Sequence, residues 1–336
     1  MKNLVIPKNY DTGMSIKETE IAIKLIKDFF EKELANSLNL TRVSAPLFVF
    51  PSTGLNDNLN GVERPVSFDM KNIDCENCEI VHSLAKWKRL ALKRYGFNVG
   101  EGLYTDMNAI RRDEDTDNLH SIYVDQWDWE SVIKKEQRNE EVLKTFVRKI
   151  YEVLKKTEKL VFEKYPHIKP VLPDDITFIK TSQLEEEYPN LSAKEREHEA
   201  VKKYGAVFLM QIGGKLKSGK PHDGRAPDYD DWSLNGDIIV NYPLLDIAFE
   251  ISSMGIRVDA DALKNQLEIS GCMERAKLPF QSALLKNEIP FTIGGGIGQS
   301  RLCMFFLRRA HIGEVQASVW SDDELNVLKE NNINIL

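Results

Sequence analysis

Cysteine is scarce in this chain: Cys75, Cys78, Cys272 and Cys303 are the only four in 336 residues. So few thiols do not make a disulfide scaffold, and a chain of this length can bury a substantial core instead. Cys75-Glu76-Asn77-Cys78 is a lone C-x-x-C. A structural zinc site wants a second pair, or histidines at matching spacing, and Cys272 and Cys303 are too far apart to be that pair. Free thiols in a reducing compartment are expected. Long apolar runs are missing as well. None reaches membrane-spanning length, and Met1-Lys2-Asn3-Leu4-Val5-Ile6-Pro7 lacks the h-region of a signal peptide, so a cytoplasmic protein off the membrane is expected. A basic excess is also absent: 45 Lys and Arg stand against 52 Asp and Glu, for a formal charge of −7. Nucleic-acid binders usually carry a basic footprint, so no nucleic-acid partner is expected. With 42% apolar and 29% charged residues and no repeat, low-complexity tract or linker, residues 1–336 read as a single domain.

What is present centres on Phe291-Thr292-Ile293-Gly294-Gly295-Gly296-Ile297-Gly298-Gln299-Ser300-Arg301-Leu302. A β-type segment runs into four glycines and then into an apolar helix, with Arg301 in its first turn. Glycines let backbone approach a ligand closely. A fixed guanidinium makes a fork for carboxylate or phosphate. The dinucleotide fingerprint G-x-G-x-x-G does not fit, because Gln299 and Arg301 stand where its last glycine must be. Gly214-Lys215-Leu216-Lys217-Ser218-Gly219-Lys220-Pro221 is a near miss of the P-loop, with Pro221 where Ser or Thr must hold magnesium. A strand, a glycine turn and an arginine-headed helix remain. They resemble motif 3 of the class II aminoacyl-tRNA synthetases; a plain Gly-rich turn with a surface arginine is the simpler alternative.

Earlier in the chain, Ser15-Ile16-Lys17-Glu18 is a capping box before a helix whose stripe is Ile23, Ile26, Phe30, Leu34 and Leu38. Thr41 to Phe50 reads as one strand, demoted to an edge or interface by Pro46. Helix and strand together look like motif 1. A polar loop from Ser52 to Gly61 holds Asn56-Asp57-Asn58. The strand Glu79–Leu84 leads into the helix Ala85–Leu92, whose basic face either reaches an anion through Lys88 or is solvated. Leu103–Ile110 and His120–Trp129 are two strands around Arg111-Arg112-Asp113-Glu114-Asp115. Period two puts Ile122, Val124, Gln126 and Asp128 on one face, and Tyr123, Asp125, Trp127 and Trp129 on the other. This pair resembles motif 2. Residues 131–165 read as a long helix, Ile176–Ile179 as a strand, Ser192–Tyr204 as a helix and Ala206–Ile212 as a strand. Gly236–Tyr242 and Ala248–Val258 are strands carrying Asp237, Glu250, Ser253 and Arg257. Helices over Asp259–Ile269 and Gln281–Asn287 follow. Antiparallel strands interleaved with helices indicate an α+β fold.

Longer phrases are more specific. His82-Ser83-Leu84-Ala85-Lys86-Trp87-Lys88-Arg89, Gly100–Thr105, Tyr123–Glu130, Arg225-Ala226-Pro227-Asp228-Tyr229-Asp230-Asp231-Trp232 and Ser252–Asp259, with the glycine stretch, resemble the ammonia-dependent asparagine synthetases. The likeness runs from about Ser15 to Trp320. It implies a class II aminoacyl-tRNA synthetase-like antiparallel sheet flanked by helices, in one catalytic domain. About 14 residues precede the first helix and 16 follow Trp320, so no anticodon-binding domain is expected. Asp231–Asp237 is compact where some members carry an insertion. The resemblance also implies a homodimer using ATP, Mg²⁺, L-aspartate and ammonia, with a β-aspartyl-AMP intermediate.

Site roles follow from the same likeness. Arg111 would bridge the ATP α-phosphate and the aspartate β-carboxylate. Arg301 would hold phosphate or stack on adenine, and Arg257 would be a second clamp. Asp237 and Glu250 would bind Mg²⁺ with the nucleotide, a hard cation that takes carboxylate oxygens. Ser83, Lys88, Gln126, Asp128 and Ser253 would bind aspartate, with Asp128 toward its ammonium and Lys88 toward a carboxylate. Asp57 would orient ammonia, with Asp230 as the second candidate for that role beside its place at the nucleotide. Cys303 and His82 read as packing residues. Three rivals remain open: a synthetase paralogue charging RNA, a non-catalytic adenylate sensor and a carboxylate–amine ligase for another substrate.

Overall fold

Ser15 starts the first helix as the capping box requires: its Oγ accepts from Glu18 N (3.3 Å) and its N donates to Glu18 Oε2 (2.8 Å). The computed structural model describes residues 4–59 and 61–336. Met1 to Asn3, Asn60 and the Cys75 side chain lie outside that description, and with them the Cys75 half of the C-x-x-C and the start of the leader reading. Helix α1 (Ile16–Leu38) buries Ile23, Ile26, Phe30, Leu34 and Leu38, the stripe read from the spacing.

The strand expected over 41–50 is in fact two, β1 (Leu40–Arg42) and β2 (Phe48–Val49), and they join different sheets. Pro46 lies between them; it offers no N–H and restricts the residue before it, so pairing stops there. Then come β3 (Ser67–Met70), β4 (Ile73–Ile80), α2 (Ala85–Tyr95), β5 (Gly102–Ile110) and β6 (Tyr123–Val132). Strand β6 begins at Tyr123, not His120. Helix α3 (Glu140–Lys164) starts nine residues later than the pattern suggested. Ser131 and Val132 finish β6, Lys135–Gln137 forms a 3₁₀ turn, and the Asn139 side chain caps the helix by accepting from Val142 N at 3.0 Å. The remaining elements are β7 (Thr177–Lys180), α4 (Thr181–Glu187), α5 (Ala193–Tyr204), β8 (Ala206–Met210), β9 (Asp230–Tyr242), β10 (Ile247–Arg257), α6 (Ala260–Ile269), α7 (Pro279–Leu285), β11 (Thr292–Gly298), α8 (Gln299–Phe306) and α9 (Asp322–Glu330).

The large sheet has the order β1-β5-β6-β11-β10-β9-β8-β7; a small one is β2-β4-β3. In the large sheet only the outermost pairs, β1–β5 and β7–β8, are parallel, and the middle is antiparallel. This is the α+β architecture expected. One face of the sheet carries the main core, where Trp127 and Trp129 of β6 meet Phe30 of α1, Val147 of α3 and Phe305 of α8, all at 0% exposure. Each such side chain contributes about 1.5–3 kcal/mol when fully buried. The result is a rigid strand floor whose opposite face is left for polar side chains. Helix α2 packs on that opposite face, since its Lys88 reaches Asp128 of β6. The 214–221 segment closes on itself through a Lys215–Pro221 bridge, so the P-loop likeness has no structural counterpart.

Candidate active site

Alternation along β6 does what the sequence pattern said. Trp127 and Trp129 enter the core, while Gln126, Asp128 and Glu130 point the other way. Opposite these three, β11 presents only glycine: Gly298 pairs with Gln126, Gly296 with Asp128 and Gly294 with Glu130. A Cβ at Gly296 would strike the Gln126 amide. One at Gly294 would strike the Glu130 carboxylate and the Arg257 guanidinium. The glycines are therefore strand residues and not the turn expected. They make a flat floor across which polar side chains from neighbouring strands can lie.

Above this floor is a cleft of ≈ 350 Å³. Its wall holds ten of the twelve candidates: Asp57, Ser83, Arg111, Gln126 and Asp128 from the first half of the chain, and Asp230, Glu250, Ser253, Arg257 and Arg301 from the second. Lys88 and Asp237 stand one layer behind. The face of α2 read as solvated or anion-seeking is instead buried. Lys88 pairs with Asp128 and donates to Gly295 O at 3.1 Å; Lys86 pairs with Asp228 at 3.2 Å. Arg89 donates to Pro290 O (2.8 Å) and Val258 O (2.7 Å). Burial pushes the Lys88 ammonium down against the pull of Asp128, and pushes Arg89 to about 10. Partners far off in sequence explain why a buried charged helix face looked like a surface one.

Arg257 is the most tightly held cation of the site. Its Nε and Nη2 both donate to Glu130 Oε2, at 3.0 and 2.8 Å, and its Nη1 to Asp230. Burial works to raise the Glu130 carboxyl, but Arg257 and Lys88 outweigh it and hold it below the usual range. For Asp230 burial wins over Arg257, and its carboxyl is raised. Asp57, although in a polar loop, is 3% exposed. Its carboxylate accepts from Ser83 Oγ (2.8 Å) and Leu59 N (2.9 Å).

On the other side, Arg225 donates to Asp237, and Arg301 lies 3.4 Å from the Glu250 carbonyl and 4.0 Å from its carboxylate. The Glu250 side chain is 39% exposed, in keeping with a group that faces a ligand. Burial raises Asp237 to about 6, with Arg225 opposing and Glu250 adding. Burial would raise Glu250 too, but Arg301 and Arg225 keep it low. Asp237 Oδ1 and Arg111 Nε are buried with no hydrogen-bond partner among the described residues, so each has a bonding position left for a ligand. Arg225 was missed as a site residue. Its only signal was its place at the head of the Arg225–Trp232 phrase. Four guanidiniums thus converge with carboxylates on one polar cleft, an arrangement suited to drawing a polyanion and a zwitterion together.

A family model described as aspartate-ammonia ligase matches residues 17–332. The chain belongs to the aspartate–ammonia ligase family. An aspartate–ammonia ligase of Clostridium perfringens (strain SM101) is 64% identical over 336 residues, 100% of both chains. Another, from Fusobacterium nucleatum, is 63% identical over 327 residues, 97% of this chain and 99% of its own. The protein is accordingly a ligase. Its fold is that of the class II synthetases: the asparaginyl-tRNA synthetase of Pyrococcus horikoshii, solved with asparaginyl-adenylate, superposes with a TM-score of 0.66 at 14% identity, over 90% of this chain and 70% of that one. The Entamoeba histolytica aspartyl-tRNA synthetase gives 0.60 at 15% identity, over 92% and 60%. No helix among the described residues of this aspartate–ammonia ligase family member is long and apolar enough to cross a membrane.

Proposed function

We propose that the protein makes L-asparagine from L-aspartate and ammonia at the expense of ATP. The aspartate β-carboxylate attacks the α-phosphorus and pyrophosphate leaves, giving β-aspartyl-AMP. Ammonia then attacks the acyl carbon, the mixed anhydride breaks, and AMP leaves. The observation that carries this reading is the ring of Arg111, Arg225, Arg257 and Arg301 around one cleft, in a chain of this family. Two anions meet in the first step, and their repulsion is overcome by cations fixed in place beforehand.

Arg111 is the bridge between α-phosphate and β-carboxylate; its unpartnered Nε supports a ligand there. Arg301 holds phosphate or adenine, and Arg257, stiffened by Glu130 and Asp230, is the second clamp. Asp128 receives the α-ammonium of aspartate, with Lys88 behind it as a positioning residue. Ser83, Gln126 and Ser253 complete the amino-acid pocket. Asp57 is the carboxylate for the nitrogen donor, with Asp230 as the alternative for that role. Asp237 and Glu250 fit Mg²⁺, because Asp237 Oδ1 has no hydrogen-bond partner among the described residues and Glu250 lies in the cleft wall. Such a cation would complete its shell with phosphate and water. Bound there, it would neutralise phosphate charge.

Exposed Ile16 and Ile21 on α1 and Leu47 and Phe48 near β2 support assembly as a homodimer. Buried free thiols at Cys272 and Cys303 fit a cytoplasmic enzyme. The excess of acid over base supports a reaction without a nucleic-acid acceptor. The test is an assay of purified protein with ATP, Mg²⁺ and L-aspartate, with and without ammonium. Asparagine and AMP in equal amounts, dependent on ammonium and independent of tRNA and glutamine, are expected. Aspartate-dependent exchange of pyrophosphate into ATP with no asparagine would mean another acceptor; absence of both would end the proposal.

A further inference from the structure

Next to the main cleft lies a second cavity of ≈ 190 Å³, and the two share Leu59, Arg111 and Glu114 as lining. His82 lines the second cavity but not the first. The residue is 1% exposed. Its Nδ1 lies 3.0 Å from the Asp57 carbonyl oxygen, which can only accept, so Nδ1 carries the proton. In the neutral ring Nε2 is then a lone-pair acceptor. Nε2 is buried and has no hydrogen-bond partner among the described residues. An acceptor left this way in a protein interior is costly unless something donates to it.

The occupant must therefore be a small N–H or O–H donor. Phosphate and carboxylate anions bring acceptors, which the Nε2 lone pair repels. The cavity has room for ammonia and a few waters. Its wall sets the carboxylates of Glu63, Asp113 and Glu114 against the guanidiniums of Arg111 and Arg112, an acid excess that favours a cationic or donor-rich guest, and Arg111 forms the boundary with the cleft where the acyl adenylate would form. His82 and Asp57 are also joined back to back: the Asp57 carbonyl holds the ring while its carboxylate lies in the main cleft beside Ser83.

We infer that this side cavity is the waiting station of the nitrogen donor, with His82 Nε2 accepting an N–H of ammonia or ammonium on its way to the acyl carbon. The inference rests on the proposed reaction. It makes His82 a positioning residue and not the packing residue its sequence context suggested. An ammonia molecule that spends one N–H on Nε2 keeps its own lone pair free for attack.

His82→Asn tests this, because the Asn amide can still donate to the Asp57 carbonyl but has nothing at Nε2. The readouts are aspartate-dependent pyrophosphate exchange, which needs no ammonium, and the KM for ammonium in asparagine formation. We expect exchange and the KM for aspartate within twofold of wild type, and a KM for ammonium raised about tenfold, the loss of one hydrogen bond. His82→Gln, whose amide reaches the Nε2 position, should recover part of that loss. An unchanged KM for ammonium in His82→Asn would assign the cavity to water and overturn the inference. So would equal losses of exchange and ammonium use in both variants, which would mark the ring as structural. Failure of the wild type itself to exchange would instead sink the reaction on which the inference rests.

Discussion

Glu130 holds Arg257 through a single carboxylate oxygen, which accepts from both Nε at 3.0 Å and Nη2 at 2.8 Å, while the other oxygen accepts from Thr292 Oγ1 at 2.6 Å. Both residues are almost fully buried. A pair of this kind stiffens a site more than it stabilises a fold, but removing one partner strands the other charge. Glu130→Gln should therefore lower unfolding stability by about 3–5 kcal/mol, and denaturant titration at neutral pH measures it. The sign with pH is fixed as well. The Glu130 carboxyl is held below its unfolded value, so its contribution is present above that value and lost as pH falls through the folded one. Wild type and Glu130→Gln should converge in stability under acid; a constant gap down to low pH would show that the pair carries none of the acid sensitivity.

Arg111 and Arg301 are different, because neither is locked into a buried pair. Arg301 meets the Glu250 carboxylate only at 4.0 Å and its carbonyl at 3.4 Å, and Arg111 has a long 3.5 Å bond to His82 O. Alanine at either position should leave the thermal midpoint nearly unchanged. Pyrophosphate exchange should fall by about 10²–10³ if these guanidiniums stabilise the charge that develops in adenylate formation. Arg111→Lys should not rescue, since a point charge cannot bridge two anions as a fork does. A rescue to near wild-type rate would show that charge alone matters there.

Much of this was readable in the chain. The alternation Gln126, Trp127, Asp128, Trp129 fixed both faces of β6, and the Ser15 capping box and its apolar stripe fixed α1. What failed was whatever depends on distant partners. Lys86, Lys88 and Arg89 looked like a surface stripe because Asp228, Asp128 and the carbonyls of Val258 and Pro290 are remote in sequence. The glycines of β11 looked like a turn because their cause lies on β6 and β10, in the side chains that must pass over them. Arg225 gave no sign of its own; only the fold brings it to Asp237.

Asp237 makes a prediction of opposite sign to Glu130. Burial raises its carboxyl to about 6, so the folded state takes up a proton where the unfolded state has already lost it. Wild type should lose stability relative to Asp237→Asn as pH rises from about 4 to 6, by up to about 3 kcal/mol, and the difference should then stay level. Urea midpoints at closely spaced pH values give the curve. Ionised Asp237 is also the form that would hold Mg²⁺, so exchange in the wild type should have an acid limb near pH 6, shifted lower at saturating Mg²⁺. A limb insensitive to Mg²⁺ would remove Asp237 from the metal site.

Two glycines of the floor should respond differently to the same change. At Gly296 the obstacle to a methyl group is the far end of the Gln126 side chain, which can swing away. At Gly294 the obstacles include the Trp129 backbone carbonyl and the buried Glu130–Arg257 pair, which cannot. Gly296→Ala should therefore fold with a midpoint close to wild type, while its KM for aspartate rises about tenfold, the worth of one displaced polar contact. Gly294→Ala should lose about 1–3 kcal/mol as an overpacked interior does, and lose exchange with it. Measuring KM for aspartate and the denaturant midpoint on both variants separates a floor shaped for ligand from one shaped for packing. Equal destabilisation of the two would mean that Gln126 is held as rigidly as the backbone and is not an adjustable wall of the amino-acid pocket.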